Sequence, residues 1–312
     1  MTRALVTGGA GFIGSHLVER LVAAGFDVRV LDDLSTGRRE NLADVAGAVE
    51  LVVGDVRDPD VARRAVSGVE TVFHLAALPS VPRSWERPLD SLGVNALGTT
   101  NVVEAAVREG CRSLVYSSSS SVYGDQPSPV KSEALPPRPI SPYAYAKLMG
   151  EKVGLAHSRA DGTRVIALRY FNVFGPRQDP DSPYAAVVPL FIRHALAGTV
   201  ATVHGDGLQR RDFTPVENAV AANVAAAAAP DHGVALNVAC GRSVSVLDLV
   251  EHISAALGRP LRTAHGPPRP GDIRDSLADL SAARRVLGYE PAVGFEDGLR
   301  ATCAWFLEHD GA

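Results

Sequence analysis

The sequence predicts an α/β fold in which a doubly wound parallel sheet carries a smaller C-terminal α/β domain. Three observations support that expectation. Short apolar runs recur at 4–7, 27–31, 49–53, 71–75 and 113–117, as strands do. Helical stretches lie between them, including 12–24, 60–66 and 99–109, which implies parallel β-α-β units with right-handed crossovers. After Arg169 the rhythm breaks, with prolines at 176, 180, 183 and 189 and a second proline-rich stretch over 258–272. The expected division is 1–174 for the sheet domain, with a return segment near 214–245, and 175–312 mainly for the smaller domain. The cleft between them is the expected ligand site.

With 312 residues, 46% of them hydrophobic, the chain is long enough to bury a substantial core. A net charge of −4 gives no general attraction to nucleic acid or anionic lipid, so neither is an expected partner. Cys111, Cys240 and Cys303 show no metal-like or paired spacing and read as reduced thiols. The alanine run 225–229 ends at Pro230 and is too short for a membrane span, and no basic segment precedes the first strand. A soluble, cytoplasmic protein is expected. None of the histidines has ligand-like spacing, so no metal site is expected, and His74 is expected to pack beside a strand.

Residues 5–14 read L-V-T-G-G-A-G-F-I-G, with glycines 8, 11 and 14 between a strand and a helix. Gly8 allows the tight turn, Gly11 a close backbone approach to a pyrophosphate, and Gly14 tight packing of helix on sheet. The anion would sit at the helix N-terminus, where free N–H groups and the helix dipole favour it. Asp32 ends the second strand, where a carboxylate accepts hydrogen bonds from a ribose diol and repels a 2′-phosphate. NAD is therefore expected over NADP, with Arg38 and Arg39 nearby as the opposing signal. This makes the sheet domain Rossmann-type. Asp55, after the third strand, is a candidate for the adenine.

Tyr143 and Lys147 form Y-x-x-x-K, a spacing that puts both on one helix face. An unperturbed tyrosine is too weak a base at neutral pH, but a nearby ammonium and a positive nicotinamide favour its phenolate. The pair is then a candidate proton shuttle for hydride transfer at a carbinol carbon. Tyr145 is not followed by lysine at that spacing, since residue 149 is Met. Ser119, expected on the loop after the strand ending near Tyr116, can bridge the substrate hydroxyl and the tyrosine.

Further motifs run along the chain: L-D-D-L-S-T-G at 31–37, H-L-A-A at 74–77, S-V-P-R-S at 80–84, N-A-L-G-T at 95–99 and S-S-S-S-S-V-Y-G at 117–124. They continue with S-P-Y-A-Y-A-K at 141–147, R-Y-F-N-V-F-G-P-R-Q at 169–178, G-D-G at 205–207, R-R-D-F at 210–213 and R-P-G-D-I-R-D-S at 269–276. With these the sequence resembles the extended short-chain dehydrogenases/reductases, close to the UDP-glucose and UDP-N-acetylglucosamine 4-epimerases.

The resemblance implies an NAD site made by Gly8, Gly11, Phe12, Ile13 and Gly14, with Asp32, Asp33, Ser35, Thr36 and Gly37 at the ribose end. Asp55 and Val56 would hold the adenine, and Leu75, Ala76, Ala77, Asn95, Ser117 and Tyr170 would line the rest beside Tyr143 and Lys147. It assigns the UDP-sugar to Ser80, Asn172, Ala186, Val187, Thr202, Arg211, Arg269, Asp272 and Ser276, with Ser119 and Tyr143 at the sugar. Arginine suits a diphosphate through bidentate, permanently charged contacts. The family reaction is redox-neutral: the tyrosine removes the 4-hydroxyl proton as hydride leaves C4, and the 4-keto sugar turns and takes the hydride back on its other face. A homodimer is also implied.

Sugar-nucleotide 4,6-dehydratases carry an Asp-Glu pair before V-Y-G, and decarboxylating relatives a Glu; here 120 and 121 are both Ser, which favours epimerisation. The small Ser276 implies tolerance of N-acetylhexosamines beside UDP-glucose and UDP-galactose. A UDP-glucuronate 4-epimerase would need a cation near C6, for which Arg83 and Arg177 are candidates. Two other readings are a non-catalytic NAD-binding regulatory protein and a reductase that releases its cofactor. The first does not need Ser119, Tyr143 and Lys147 together, and the second does not need Arg211 and Arg269.

Overall fold

The computed structural model describes residues 2–160, 162–182, 185–268 and 273–309. Its main sheet is built from β1 (Arg3–Thr7), β2 (Asp27–Asp32), β3 (Val49–Val53), β4 (Thr71–His74), β5 (Ser113–Ser119), β6 (Arg164–Tyr170) and β7 (Val234–Val238). The order is β7-β6-β5-β4-β1-β2-β3 with every pair parallel, a Rossmann-type sheet. The order reverses direction between β1 and β4, and the crevice beyond the carboxyl ends of those strands is where this architecture takes ligands.

Helices cover both faces, which is why the inner strands read as nearly unbroken apolar runs. On one face, α1 (Phe12–Ala23) and α5 (Val216–Ala228) pack Leu17, Leu21, Val220 and Ala226 against Ala4, Val6, Val30 and Ile166. On the other, α2 (Pro59–Val66) and α3 (Thr99–Arg108) pack Ala62, Val66, Val102 and Ala106 against Leu5, Leu31, Val72 and Leu114. The two-residue alternation of the strand is visible in β1, where Ala4 and Val6 face one layer and Leu5 the other. The long helix α4 (Pro142–Ala160) packs against β5 and β6.

Two sequence expectations change. β5 runs to Ser119 because β6 lies beside it through the pair Ser119↔Tyr170, so Ser119 ends a strand instead of sitting on the following loop. β4 stops at His74, one residue short of the expected end, where Leu75 turns toward the β1 carboxyl end.

A second sheet combines Ser243–Ser245, Arg210–Asp212, Asp275–Ala278 and Val130–Lys131, in that order. A third core, with Phe174, Phe191, Phe213, Phe295 and Phe306, lies among the helices Val187–Ala197, Val246–Leu257 and Phe295–His309. Helix Val246–Leu257 begins with a reciprocal cap, in which Ser245 accepts from the Asp248 amide and Asp248 accepts from the Ser245 amide. None of the described helices is long and apolar enough to cross a membrane.

Candidate active site

The glycine turn is shaped by contacts that tolerate no side chain. Gly8 has φ +69°, and a Cβ there would lie 2.7 Å from the Ala76 nitrogen. A Cβ on Gly14 would lie 2.1 Å from the Gly8 carbonyl oxygen, so α1 starts almost in contact with the turn. Gly11 is different: only the Gly8 carbonyl oxygen, at 3.2 Å, would meet its Cβ. The first turn of α1, containing Phe12 and Ile13, has neither a side-chain cap nor an acidic residue. Uncapped N–H groups, an open approach at Gly11 and the positive end of the helix dipole fit a pyrophosphate.

Asp32 accepts from the Ala10 amide at 2.9 Å and the Leu34 amide at 2.9 Å, which braces the end of β2 against the glycine turn. Burial pushes its carboxyl up and the two amides pull it down. A Cβ on Gly37 would lie 2.8 Å from Asp32 Oδ1, so the 33–37 loop closes on the carboxylate. Within that loop Asp33 accepts from the Ser35 amide and hydroxyl. Thr36 follows on the same exposed stretch. Asp55 is gripped by Arg57 through its amide and guanidinium, a contact that holds the carboxyl below its usual range. Val56 is buried, and a Cβ on Gly98 would meet it at 2.7 Å.

The strand ends are joined by a directed hydrogen-bond chain. The Ala76 amide donates to Thr7 Oγ1 at 3.2 Å, and that hydroxyl meets His74 Nδ1 at 2.6 Å. His74 Nε2 meets Thr99 Oγ1 at 2.9 Å, and Thr99 donates to the Asn95 carbonyl. Since Thr99 spends its proton on Asn95, His74 must donate from Nε2 and accept at Nδ1, the neutral tautomer. Burial, with a lesser push from Lys147, lowers its pKa to about 3. His74 thus packs beside the strand ends as expected. Asn95 lies in a π-helical segment, Gly93–Gly98, and is fully buried. Its amide closes on the backbone of Leu78 and reaches Ser91. Through these bonds it secures the 76–78 turn, and its polar groups are engaged within the protein.

Ser119, Tyr143 and Lys147 come together from β5 and α4. Lys147 is buried, and its Nζ donates to the Ser117 carbonyl at 2.8 Å. Burial lowers its pKa to about 7. Burial raises the Tyr143 phenol to about 12, and the Ser119 hydroxyl pulls it down. In this state the help expected from the ammonium goes elsewhere, because Lys147 points to a carbonyl and its charge acts on His74. Ser117 donates to Tyr170 at 3.1 Å, and Asn223 donates to the same phenol at 2.6 Å. The remaining serines have no carboxylate in the loop with them: 120 and 121 are both Ser, and the Ser121 amide donates to Ser119 Oγ at 3.1 Å.

The expected sugar-nucleotide residues are spread over the second half. Asn172, at φ +33°, donates to the Asp212 carbonyl. Arg211 and Ser276 are register partners on neighbouring parallel strands, and Ser276 is buried. Arg211 also donates to the carbonyls of Arg210 and Arg274. Ala186 caps helix Val187–Ala197, and Thr202 lies exposed on strand Ala201–His204. Ser80 accepts from the Arg83 amide at the start of helix Val81–Glu86. Arg269 and Asp272 lie outside the described residues. Arg177 is committed to α1, donating to Ser15 and Glu19, which removes it as a candidate cation for a C6 carboxylate.

Three buried polar atoms lack partners among the described residues: Ser121 Oγ, Gln178 Oε1 and Asn223 Oδ1. Each belongs to a residue already bonded near the crevice, through Ser119, Val173 and Tyr170 respectively. Orphan polar atoms there suit a polar ligand or water. Residues the sequence did not single out are Thr7, Thr99, Ser118, Tyr123, Glu151 and Arg169. All but Glu151 lie within the motifs quoted above without a role of their own, and the signal for Glu151 is a carboxylate four residues beyond Lys147 on the same helix face.

The family model described as the NAD dependent epimerase/dehydratase family matches residues 4–239. A UDP-glucose 4-epimerase of Mycolicibacterium smegmatis is 41% identical over 308 residues, covering 97% of this chain and 98% of that one. The solved UDP-glucose 4-epimerase of Thermotoga maritima, with UDP-glucose, superposes with a TM-score of 0.94 at 35% identity, covering 99% of each chain. A dTDP-glucose 4,6-dehydratase of Streptomyces niveus is also 35% identical, over 98% of this chain and 93% of that one. The chain therefore belongs to the NAD dependent epimerase/dehydratase family, as a nucleotide-sugar enzyme of the extended short-chain dehydrogenase/reductase type.

Proposed function

We propose that this enzyme is an NAD-dependent UDP-hexose 4-epimerase acting on UDP-glucose and UDP-galactose, and on the N-acetylhexosamine pair. The observation that carries the reading is the carboxyl end of β5 together with the loop after it. It sets Ser119 against Tyr143 and follows it with two serines where elimination or decarboxylation would call for a carboxylate. Bound NAD supplies a hydride acceptor and donor, which keeps the overall reaction redox-neutral. The chain's own part is proton handling and orientation. Tyr143 takes and returns the 4-hydroxyl proton and Ser119 orients that hydroxyl, while Lys147 would lend its charge to the phenol on leaving the Ser117 carbonyl that holds it in this state. The uncapped start of α1 and Asp32 hold the dinucleotide, and Asn172 and Arg211 hold the diphosphate side.

Other features fit this assignment. The sheet domain over 1–174, completed by the return segment near 214–245, would bind NAD, and 175–312 mainly the UDP-sugar. The free thiols of Cys111, Cys240 and Cys303 suit a cytoplasmic setting. Leu89 (81% exposed), Trp85 (64%), Leu97 (60%) and Tyr145 (59%) project from contacting helical segments, a face suited to a homodimer.

A second reading, a UDP-glucuronate 4-epimerase, is favoured by one observation. Among the described residues the half-buried Arg83 forms no ion pair, which leaves a cation for a C6 carboxylate. Incubation with UDP-glucose, UDP-N-acetylglucosamine and UDP-glucuronate separately, without added NAD, and resolution of the C4 epimers tests both. Epimers from the first two support the main reading, epimers from the third alone select the alternative, and none from any would sink both.

A further inference from the structure

We propose that the buried Glu151–Arg169 ion pair is a positioning element of the active site, setting the distance between the Ser119 strand end and the helix that carries Tyr143 and Lys147. The inference rests on the epimerase reading for its assay, but the geometry stands by itself. Three successive turns of α4 engage three successive residues of β5: Tyr143 the Ser119 hydroxyl, Lys147 the Ser117 carbonyl, and Glu151 the Ser118 hydroxyl, which donates to it at 2.9 Å. Arg169 is the β6 register partner of Ser118 and forks onto both Glu151 oxygens, at 2.9 and 2.7 Å. Its remaining arm donates to Tyr123 Oη at 2.9 Å, and Tyr123 donates to Asn237 Oδ1 at 2.7 Å.

Ser118 and Tyr123 bracket Ser119 and the loop after it, and both are tied to the same ion pair. The pair itself is 1% and 3% exposed. Such a pair is a weak source of stability, because desolvation offsets its attraction, but its bidentate geometry is stiff. A proton shuttle needs that stiffness: reacting groups must be held within a fraction of an ångström. Glu151 and Arg169 are positioning residues that act through Ser118 and Tyr123.

Breaking the ion pair directly risks misfolding, so the test removes its two links. Ser118→Ala and Tyr123→Phe leave the buried charges paired. Each should lower kcat about tenfold with the nucleotide-sugar KM within about twofold, because misplacement acts on the chemical step. Ser118→Thr, which keeps the hydroxyl, should restore kcat. Carbon-13 titration of Tyr143 Cζ in NAD-free protein, assigned with Tyr143→Phe, should show the phenol pKa raised in Ser118→Ala as Ser119 loses its aim. Unchanged kcat and an unchanged phenol in both link variants, or a kcat loss that follows thermal stability and is not rescued by Ser118→Thr, would overturn the proposal. If wild-type protein turns over none of the sugars, the functional reading fails, and the Tyr143 titration alone still decides the positioning role.

Discussion

Lys147 Nζ donates to the backbone carbonyl of Ser117 at 2.8 Å, so the lysine of the Y-x-x-x-K pair is anchored to the strand that ends in Ser119. That contact ties the proton-handling helix to the sheet and gives the lysine no surface-exposed alternative. Its chemistry is set by burial, and several consequences can be measured.

Replacing Tyr143 by Phe removes the group that handles the proton and leaves its ring in place. Epimerisation should fall by about 10²-fold or more, with UDP-sugar affinity by calorimetry nearly unchanged. A variant that kept wild-type kcat would remove Tyr143 from the mechanism.

Lys147 gives a pH signature in folding. Its pKa falls from 10.5 to about 7, so between those values the unfolded chain holds a proton that the folded chain has released. Stability contributed by this group therefore rises with pH, by roughly 1 kcal/mol per unit within the window. In NAD-free protein, the thermal midpoint of wild type should gain on that of Lys147→Met from pH 7 to 9. A constant gap across that range would show that the lysine's pKa is not depressed.

Gly14→Ala places a methyl group 2.1 Å from the Gly8 carbonyl oxygen, with backbone on both sides of the clash. Denaturant melts should show about 1–3 kcal/mol of destabilisation, and NAD affinity should drop with the displaced turn. Gly25→Ala, where nothing lies within 4 Å but φ is +82°, should cost less and leave NAD binding intact.

The exposed Leu89 and Leu97 supply the dimerisation test. Asp at both positions should convert a dimer to a monomer by sedimentation velocity, with the fold retained by circular dichroism. Wild-type protein that sediments as a monomer would exclude the homodimer.

The sheet, the glycine turn and the Tyr143–Lys147 face were legible in the sequence because each depends on local spacing. Gly8, Gly11 and Gly14 announce a turn wherever they occur between a strand and a helix, and Asp32 follows at the next strand end. The links that brace the site were not legible. Ser118, Glu151 and Arg169 meet only because β5 and β6 pair in one register, which no single segment encodes. Ser119 was placed on a loop for the same reason, since its strand partner Tyr170 lies 51 residues later, counted from 119 to 170. Asn95 was assigned to the cofactor by resemblance, and the structure turns its amide onto Leu78. Arg177 looked available until its bond to Glu19 fixed it to α1.

The short strand Val130–Lys131 pairs with Asp275–Ala278, while Val234–Val238 returns to pair with β6. Each half of the polypeptide therefore lends a strand to the other's sheet, and Asn237 fastens the exchange by donating to the carbonyls of Lys131 and Asp279. The two halves are interlaced, so a gene cut at the midpoint would yield two pieces, each with an open sheet edge that only the other can close. Swapping substrate preference between relatives by exchanging whole halves would break both seams, whereas exchanging single strands or loops would leave them intact.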